Sequence, residues 1–257
     1  RDRYRRGCFA AAIVSGITFN FAWAVVQLQT SNFWQLVQRY STSEVALAQL
    51  PLLVAAAVGA VLAGRLMKPG RRTTQLIASG MVLLVFGLLL LALVLLENSY
   101  SSLVGAMVLV GSGFGLISVP QAALFVQEAP ARSLGSVTAF RTTTGQLGFA
   151  LGFGSSGAMV NGFGFASLRD RLVTLDTSPS ATHGLESQLR EALSGAGLSH
   201  NAEAPSKAIQ LMTESYASGV ADTMIAAALL VGLLGAISLL FLVIGHQQQR
   251  TEDRSQT

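Results

Sequence analysis

Six long apolar segments, separated by short polar stretches, set the pattern of this chain. They run approximately over residues 8–30, 45–67, 74–96, 101–126, 134–160 and 216–245. Each reaches the length of about 20 mostly apolar residues that a helix needs to cross a bilayer. Backbone amides inside lipid must find partners within their own segment, so these spans are predicted to be helices. We therefore predict an all-α integral membrane protein in which six transmembrane helices form one bundle.

Two features of the connections refine this picture. Ser41 and Glu44 have the spacing of a capping box, which predicts a helix start just before the second span. The one long connection, residues 161–215, carries two short helical faces of apolar residues, so we predict a small helical hairpin there. These faces comprise Leu185, Leu189 and Leu193, and Ile209, Met212 and Tyr216.

Polar residues are concentrated in three of the six spans. The third and sixth spans are almost purely aliphatic, while the first, fourth and fifth contain amides, hydroxyls and one arginine. Polar groups are costly in lipid and usually face a bundle interior or a water-filled cavity. We therefore expect spans 3 and 6 to face lipid, spans 1, 4 and 5 to line a pathway, and span 2 to be intermediate. The period of three indicates a 3+3 internal repeat, a common feature of secondary transporters.

Eight polar or aromatic residues of these spans are candidates for the lining of a pathway. They are Asn20, Trp23, Gln27, Ser118, Gln121, Arg141, Thr142 and Gln146. The first three share one face of the first helix, which either contacts a solute or holds helices together through hydrogen bonds. Arg141 either snorkels to the membrane edge or faces the cavity and attracts an anionic group.

Small residues mark places where helices can approach closely. Gly111 and Gly115 in the fourth span, and Gly148 and Gly152 in the fifth, form faces without side chains. Pro120 lies inside the fourth span and permits a kink. We interpret these five positions as helix packing and kink sites.

Composition and charge support a membrane protein and orient it. Of the 257 residues, 51% are hydrophobic and only 12% are charged, whereas soluble domains have about a quarter charged residues. Lys and Arg mark cytoplasmic loops, and ten of them lie on one side of the spans against one on the other. The ten are Arg1, Arg3, Arg5, Arg6, Lys68, Arg71, Arg72, Arg132, Arg250 and Arg254, and the one is Arg39. We therefore expect a multi-pass protein of the cell inner (plasma) membrane, with both termini of this segment in the cytoplasm.

This topology makes residues 161–215 an extracytoplasmic loop and residues 246–257 a cytoplasmic tail. It also accounts for the net charge of +4, so nucleic-acid binding need not be invoked.

Enzyme and cofactor chemistry find little support in the residues. Ser112 lies in a Gly-rich helix, as in an intramembrane serine protease, but no span contains a His to act as its base. Three scattered His and one Cys offer no metal-ligand spacing. No phosphate-binding Gly-rich loop with Lys is present, and the spans show no charged ring typical of a channel. We expect a non-enzyme without cofactor or metal.

Three parts of the chain resemble the major facilitator superfamily. The segment that follows Gly59, through Gly64 and Arg65 to Gly70, Arg71 and Arg72, resembles the cytoplasmic loop motif G-x-L-A-D-R-x-G-R-R. Spans 4 and 5 resemble the EmrB/QacA-type drug:proton antiporters. That likeness rests on Gly111-Ser-Gly-Phe-Gly115 with Pro120, on Ala129-Pro-Ala-Arg-Ser-Leu-Gly-Ser136, and on Gln146-Leu-Gly-Phe-Ala-Leu-Gly152. The long loop before the last span is the third point of likeness.

The resemblance implies the carboxy-terminal six-helix half of a transporter with fourteen spans. Its implied function is transmembrane transport, as half of a proton-coupled multidrug efflux antiporter that works by alternating access. The alternatives are a major facilitator porter for another small solute and a non-transporting membrane scaffold half. Implied partners are membrane lipid, a lipophilic or cationic small-molecule cargo, the missing amino-terminal half, and a periplasmic adaptor at residues 161–215. The chain begins at Arg1 without a Met, so we expect a fragment of a longer protein.

The chain departs from the family pattern at two positions. Gly64 stands where the loop motif has its acidic residue, and Gly145 stands where the family often has Arg, with Arg141 four residues earlier. The proton-coupling carboxylates of that family belong to the missing half.

Overall fold

The computed structural model describes residues 2–67, 71–96, 100–127, 134–174, 187 and 206–255. Almost all of these residues lie in seven helices. The helices are α1 (Asp2–Leu36), α2 (Thr42–Ala48), α3 (Leu50–Leu66), α4 (Arg71–Leu95), α5 (Tyr100–Gln127), α6 (Leu134–Thr174) and α7 (Ser206–Ser255). Gly70, residues 129–133, and the leucines at 185, 189 and 193 lie outside the described residues.

Five helical segments are long and apolar enough to cross a membrane, among the residues just given. They are Phe9–Leu36, Thr42–Leu66, Arg72–Leu95, Tyr100–Val126 and Gln210–Ile244. α6 is longer than any bilayer requires but is more polar, because its first half contains Arg141, four threonines and Gln146. The predicted all-α membrane helical bundle is therefore confirmed, and the crossing of the membrane by residues 134–160 stays a prediction.

The second predicted span is divided at Gln49 into α2 and α3 rather than forming one uninterrupted helix. Its capping box is confirmed: the amide of Glu44 donates to Ser41 Oγ at 3.4 Å, and the Ser41 amide donates to Glu44 Oε2 at 2.8 Å. Pro51 has no N–H and cannot donate to the carbonyl one turn earlier, which favours a break. Nε2 of Gln49 donates to the Gln27 carbonyl of α1 at 3.2 Å, so the break is held against the bundle.

α6 and α7 both continue beyond the predicted limits of their spans. α6 runs past residue 160 to Thr174, and α7 begins at Ser206 and continues through the predicted tail to Ser255. Leu168 and Leu172 of α6 pack against Met212 of α7. Within the predicted loop, the described residues 161–174 and 206–215 thus continue two of the spans as helices.

A polar contact and a glycine crossing join the two extensions. Arg171 Nη1 donates to Glu214 Oε2 at 2.6 Å. A Cβ built on Gly219 would lie 2.8 Å from the Gly164 amide nitrogen, so the helix backbones meet here. The spacing of Phe165, Leu168 and Leu172 on one face was the sequence signal for this pairing.

Helix pairing follows the predicted 3+3 repeat. α1 packs against α6 and α7, while α5 packs against α3 and α4. In a 3+3 repeat, α1 corresponds to α5, α3 to α6, and α4 to α7. This correspondence converts the pairs of α1 with α6 and α7 into the pairs of α5 with α3 and α4, as a nested repeat requires. The extensive α6–α7 contact has no counterpart between α3 and α4, because it includes the extensions beyond the spans.

The crossing of α5 with α3 depends on glycine. A Cβ on Gly111 or Gly115 would overlap the carbonyl oxygens of Leu52 and Ala56, respectively. A Cβ on Gly59 would lie 2.8 Å from the Ser112 carbonyl oxygen. The two helices therefore approach backbone to backbone, the geometry that G-x-x-x-G spacing permits in membranes.

Burial does not separate the helices as their polarity does. α1 is the most enclosed helix, with 67% of the residues of its most apolar segment buried. The corresponding share is 50% in α4 and 44% in α5, so α4 is more buried than α5. α4 lies between α5 and α7, whereas part of α5 stays open beside α1 and α6. The predicted peripheral position of α4 is thus not visible as lower burial.

Candidate functional site

The side-chain amide of Gln121 connects three helices. This residue of α5 is only 2% exposed. Its Nε2 donates to the Ala12 carbonyl of α1 at 3.0 Å, and its Oε1 accepts from Nε of Arg141 on α6 at 3.2 Å. Gly16 provides the room, because a Cβ there would lie 2.6 Å from Gln121 Nε2. Both ends of a buried amide are therefore satisfied where α1, α5 and α6 meet.

Arg141 is held inside the bundle by this amide. It lies seven residues into α6, about 10 Å along the axis from the first residue. Its side chain is half-buried, and no carboxylate of the described part of the chain forms an ion pair with it. The contact with Gln121 favours the interpretation that Arg141 faces inward over simple snorkelling to the helix end.

Asn20 lies in the crossing of α1 with α6. Its Nδ2 donates to the Gly16 carbonyl of its own helix at 2.7 Å. A Cβ on Gly145 would lie 3.3 Å from that Nδ2. A Cβ on Gly148 would lie 2.6 Å from the Ile17 carbonyl oxygen. Asn20 therefore faces a groove of glycines on α6.

The same groove continues along the two parallel helices. A Cβ on Gly152 would lie 2.7 Å from the Phe21 carbonyl oxygen. One turn further, Gln29 Nε2 donates to Ser156 Oγ at 3.0 Å, with both side chains buried. Gln29 and Ser156 were not among the candidate residues. Their signal was the continuation of the Gly148 and Gly152 spacing to Ser156.

Asn20, Trp23 and Gln27, which share one face of the first helix, contact different neighbouring elements. Trp23 is 8% exposed and packs on Phe114 of α5, with ring centroids 4.2 Å apart. The Gln27 carbonyl accepts the bond from Gln49 described above. On α5, Ser118 Oγ donates to the Gly115 carbonyl of its own helix at 3.1 Å. Trp23, Gln27 and Ser118 make these contacts away from α6, whereas Asn20, Gln121 and Arg141 lie at or beside α6. The role of these residues in a pathway stays a prediction.

Thr142 and Gln146 lie on the exposed face of α6. The Thr142 hydroxyl donates to the Thr138 carbonyl of its own helix at 3.1 Å. The exposed faces of α4 and α7 are instead aliphatic or aromatic, with Phe86 at 65% and Leu233 at 62% exposure. α6 therefore presents a mixed surface, in which Thr142 and Gln146 lie beside exposed Leu147 and Leu151. The middle parts of α4 and α7 expose apolar side chains.

An aromatic cluster lies next to the Gln121 contact. Phe9 of α1 meets Phe125 of α5 with ring centroids 5.3 Å apart and Phe140 of α6 at 5.8 Å. The three rings join the same three helices about one turn closer to their ends. The rings of Phe9, Phe125 and Phe140 lie at one end of a row of polar contacts. We call this row, from Gln121 and Arg141 to Asn20 and Gly145, the polar seam.

The loop-motif residues divide into a packing glycine and surface arginines. Gly59 lies at the α3–α5 crossing, while Arg65 and Arg72 are exposed at the ends of α3 and α4. Arg71 begins α4. Pro120 is buried within α5, one residue before Gln121. It cannot donate to the carbonyl of residue 116, which loosens the helix beside the polar seam.

Comparison with known proteins places this geometry in a family. Residues 1–153, from α1 into α6, match the family model described as Major Facilitator Superfamily. The chain belongs to the Major Facilitator Superfamily. It is therefore a multi-pass membrane chain from a family of transporters. The resemblance seen in the loop motif and in spans 4 and 5 is confirmed at the level of this superfamily.

Two curated members are similar to this chain. Both are called Multidrug resistance protein Stp, from Mycobacterium tuberculosis strains CDC 1551 / Oshkosh and ATCC 25618 / H37Rv. Each is 30% identical over 183 residues, covering 71% of this chain and 34% of the relative. The matched segment thus spans about a third of the length of these relatives.

Proposed function

We propose that this chain is the carboxy-terminal six-helix half of a proton-coupled multidrug efflux antiporter of the EmrB/QacA type with fourteen spans. It would work by alternating access in the plasma membrane, with both ends of this segment in the cytoplasm. The observation that carries the proposal is the polar seam, which lies in a Major Facilitator chain on the helix that also exposes Thr142 and Gln146. Polar groups placed together inside a membrane bundle usually mark a solute or ion pathway.

The packing of α1 with α6 supports movement of the seam as a unit. Glycine contacts and the Gln29–Ser156 hydrogen bond join these helices over much of their length. Rigid-body rocking of one bundle against another requires such internal stiffness. The amino-terminal half would then face Thr142 and Gln146 across the pathway.

The name of the Stp relatives supports a lipophilic or cationic drug-like cargo. The paired extensions of α6 and α7 would be the contact for a periplasmic adaptor, since the orientation proposed here places them outside the membrane. Lipid would cover the apolar faces of α4 and α7.

Transport by the full-length protein tests this function. Purified full-length protein in liposomes should move a cationic dye when a pH gradient is imposed, and an ionophore that collapses the gradient should stop it. Residues 1–257 alone should insert into the membrane without moving the dye, because half of the pathway is absent. Absence of gradient-driven dye movement by the full-length protein, or equal movement by the fragment, would contradict the proposal.

A further inference from the structure

We propose that Arg141 binds a carboxylate group and that Gln121 is the positioning residue that presents it. This inference rests on the proposed function, because it assigns a ligand class to one position of the pathway. The carboxylate comes either from the cargo or from the other half of the complete protein.

The hydrogen bond to Gln121 decides which edge of Arg141 is available. A guanidinium has five N–H donors in a rigid plane, and Nε is used by Gln121 Oε1. The remaining donors are on the two Nη atoms, which form the end-on edge of the fork. That edge matches the two oxygens of a carboxylate. A lysine has no such planar fork, so it would not replace Arg141.

Gln121 is itself fixed, which makes its acceptor a stable reference point. Gln121 is buried, and its Nε2 donates to the Ala12 carbonyl. Gly16 leaves space for the amide because glycine has no side chain. Gln121 Oε1 therefore points at α6 whether or not a ligand is present. A positioned guanidinium loses less freedom on binding than one that must be ordered first.

The charge of Arg141 calls for an anion that the described residues do not supply. A charged side chain inside a span is costly unless it is paired or hydrated. Gln121 is neutral and leaves that charge uncompensated. The site is also reachable, because α5 and α6 make few contacts with each other apart from this bond and the Phe125–Phe140 pair. A half-buried guanidinium in such a gap is accessible from the open side of the bundle.

The probes are a dye pair that differs only at one carboxylate: rhodamine 110, which has the free acid, and rhodamine 123, its methyl ester. Binding of each is measured by fluorescence polarisation with purified full-length protein, and transport of each is measured in liposomes. The variants are Arg141→Gln, Arg141→Lys and Gln121→Met. Gln35→Met is the matched control, because Gln35 is exposed and its amide bonds only to Ser31 of its own helix.

If the cargo supplies the carboxylate, Arg141→Gln weakens binding of the acid relative to the ester by about tenfold or more, the size of a lost hydrogen bond to a charged group. Arg141→Lys does not restore the ratio. Gln121→Met moves it the same way by about threefold, although Arg141 is intact. If the other half supplies the carboxylate, both dyes lose transport equally in all three variants, while expression and melting temperature stay at wild-type values.

Wild-type binding and transport of both dyes in the Arg141 variants would overturn the carboxylate site. Wild-type behaviour of Gln121→Met beside a defective Arg141→Gln would overturn the positioning role. Equal losses that accompany a lower melting temperature would show a structural contact only, which also overturns the proposal. A wild-type protein that moves neither dye would contradict the proposed function, whereas the binding ratio would still test this site.

Discussion

Buried amides in this chain find partners on other helices. Gln121 bridges α1 and α6, and Gln29 reaches Ser156 across the same crossing. Their polarity inside apolar spans was visible in the sequence, but their partners were not. Ala12 and Ser156 lie more than one hundred residues from the amides they meet, and Arg141 lies 20 residues from Gln121 on the next helix. The packing of the helices brings these partners within reach.

The Gln29–Ser156 pair gives a residue-scale prediction. In a double-mutant cycle with Gln29→Met and Ser156→Ala, the coupling energy should be about 0.6 to 1.7 kcal/mol, as for other interhelical hydrogen bonds in membranes. The free energy of unfolding of the full-length protein is measured by denaturant titration in mixed micelles. Ser155→Ala is the control, because the Ser155 hydroxyl donates only to Leu151 of its own helix. A coupling no larger than that of the Ser155 cycle would contradict the pair.

Among the elements, the helices that follow apolar runs are the predictable ones. A run of about 20 apolar residues is a local signal, so α4 and α5 lie within three residues of the predicted limits, whereas α1 extends six residues beyond them at each end. The ends of α6 and α7 were missed because they depend on contacts between helices. Leu168 and Leu172 are buried in a cluster with Met212 of the other helix. The division at Gln49 was missed because Pro51 was interpreted as part of one span.

Glycine substitutions test the packing of α6 at the scale of the element. Gly148→Ala and Gly152→Ala should each destabilise the protein by about 1–3 kcal/mol, because the added methyl meets the backbone of α1. Gly154→Ala on the same helix is the matched control, since a Cβ there meets nothing within 4 Å. Melting temperatures of the full-length variants provide the comparison.

If Gly154→Ala lowers the melting temperature as much as Gly148→Ala does, a close crossing of α1 with α6 is excluded. The same outcome would remove the support for a rigid α1–α6 unit.

At the scale of the whole molecule, exposed surfaces of two kinds surround one bundle. The middle parts of α4 and α7 expose aliphatic and aromatic side chains, whereas α6 exposes Thr142, Thr143 and Gln146 among apolar residues such as Leu147 and Leu151. Polarity along the chain predicted this contrast, because lipid tolerates the first kind of surface and not the second. The repeat in helix pairing was predicted from the same contrast. Which surface faces water is therefore the central claim of the account.

Thiol accessibility measures that claim most directly. Single cysteines at Thr142 and Gln146, and at Phe86 and Leu233 as exposed controls, are placed in a Cys8→Ser background of the full-length protein. A water-soluble thiol reagent should label the two α6 positions in membranes, bound cargo should slow that labelling, and Phe86→Cys and Leu233→Cys should stay unlabelled within lipid. Labelling of Thr142→Cys and Gln146→Cys no faster than that of the two controls would contradict a pathway along α6.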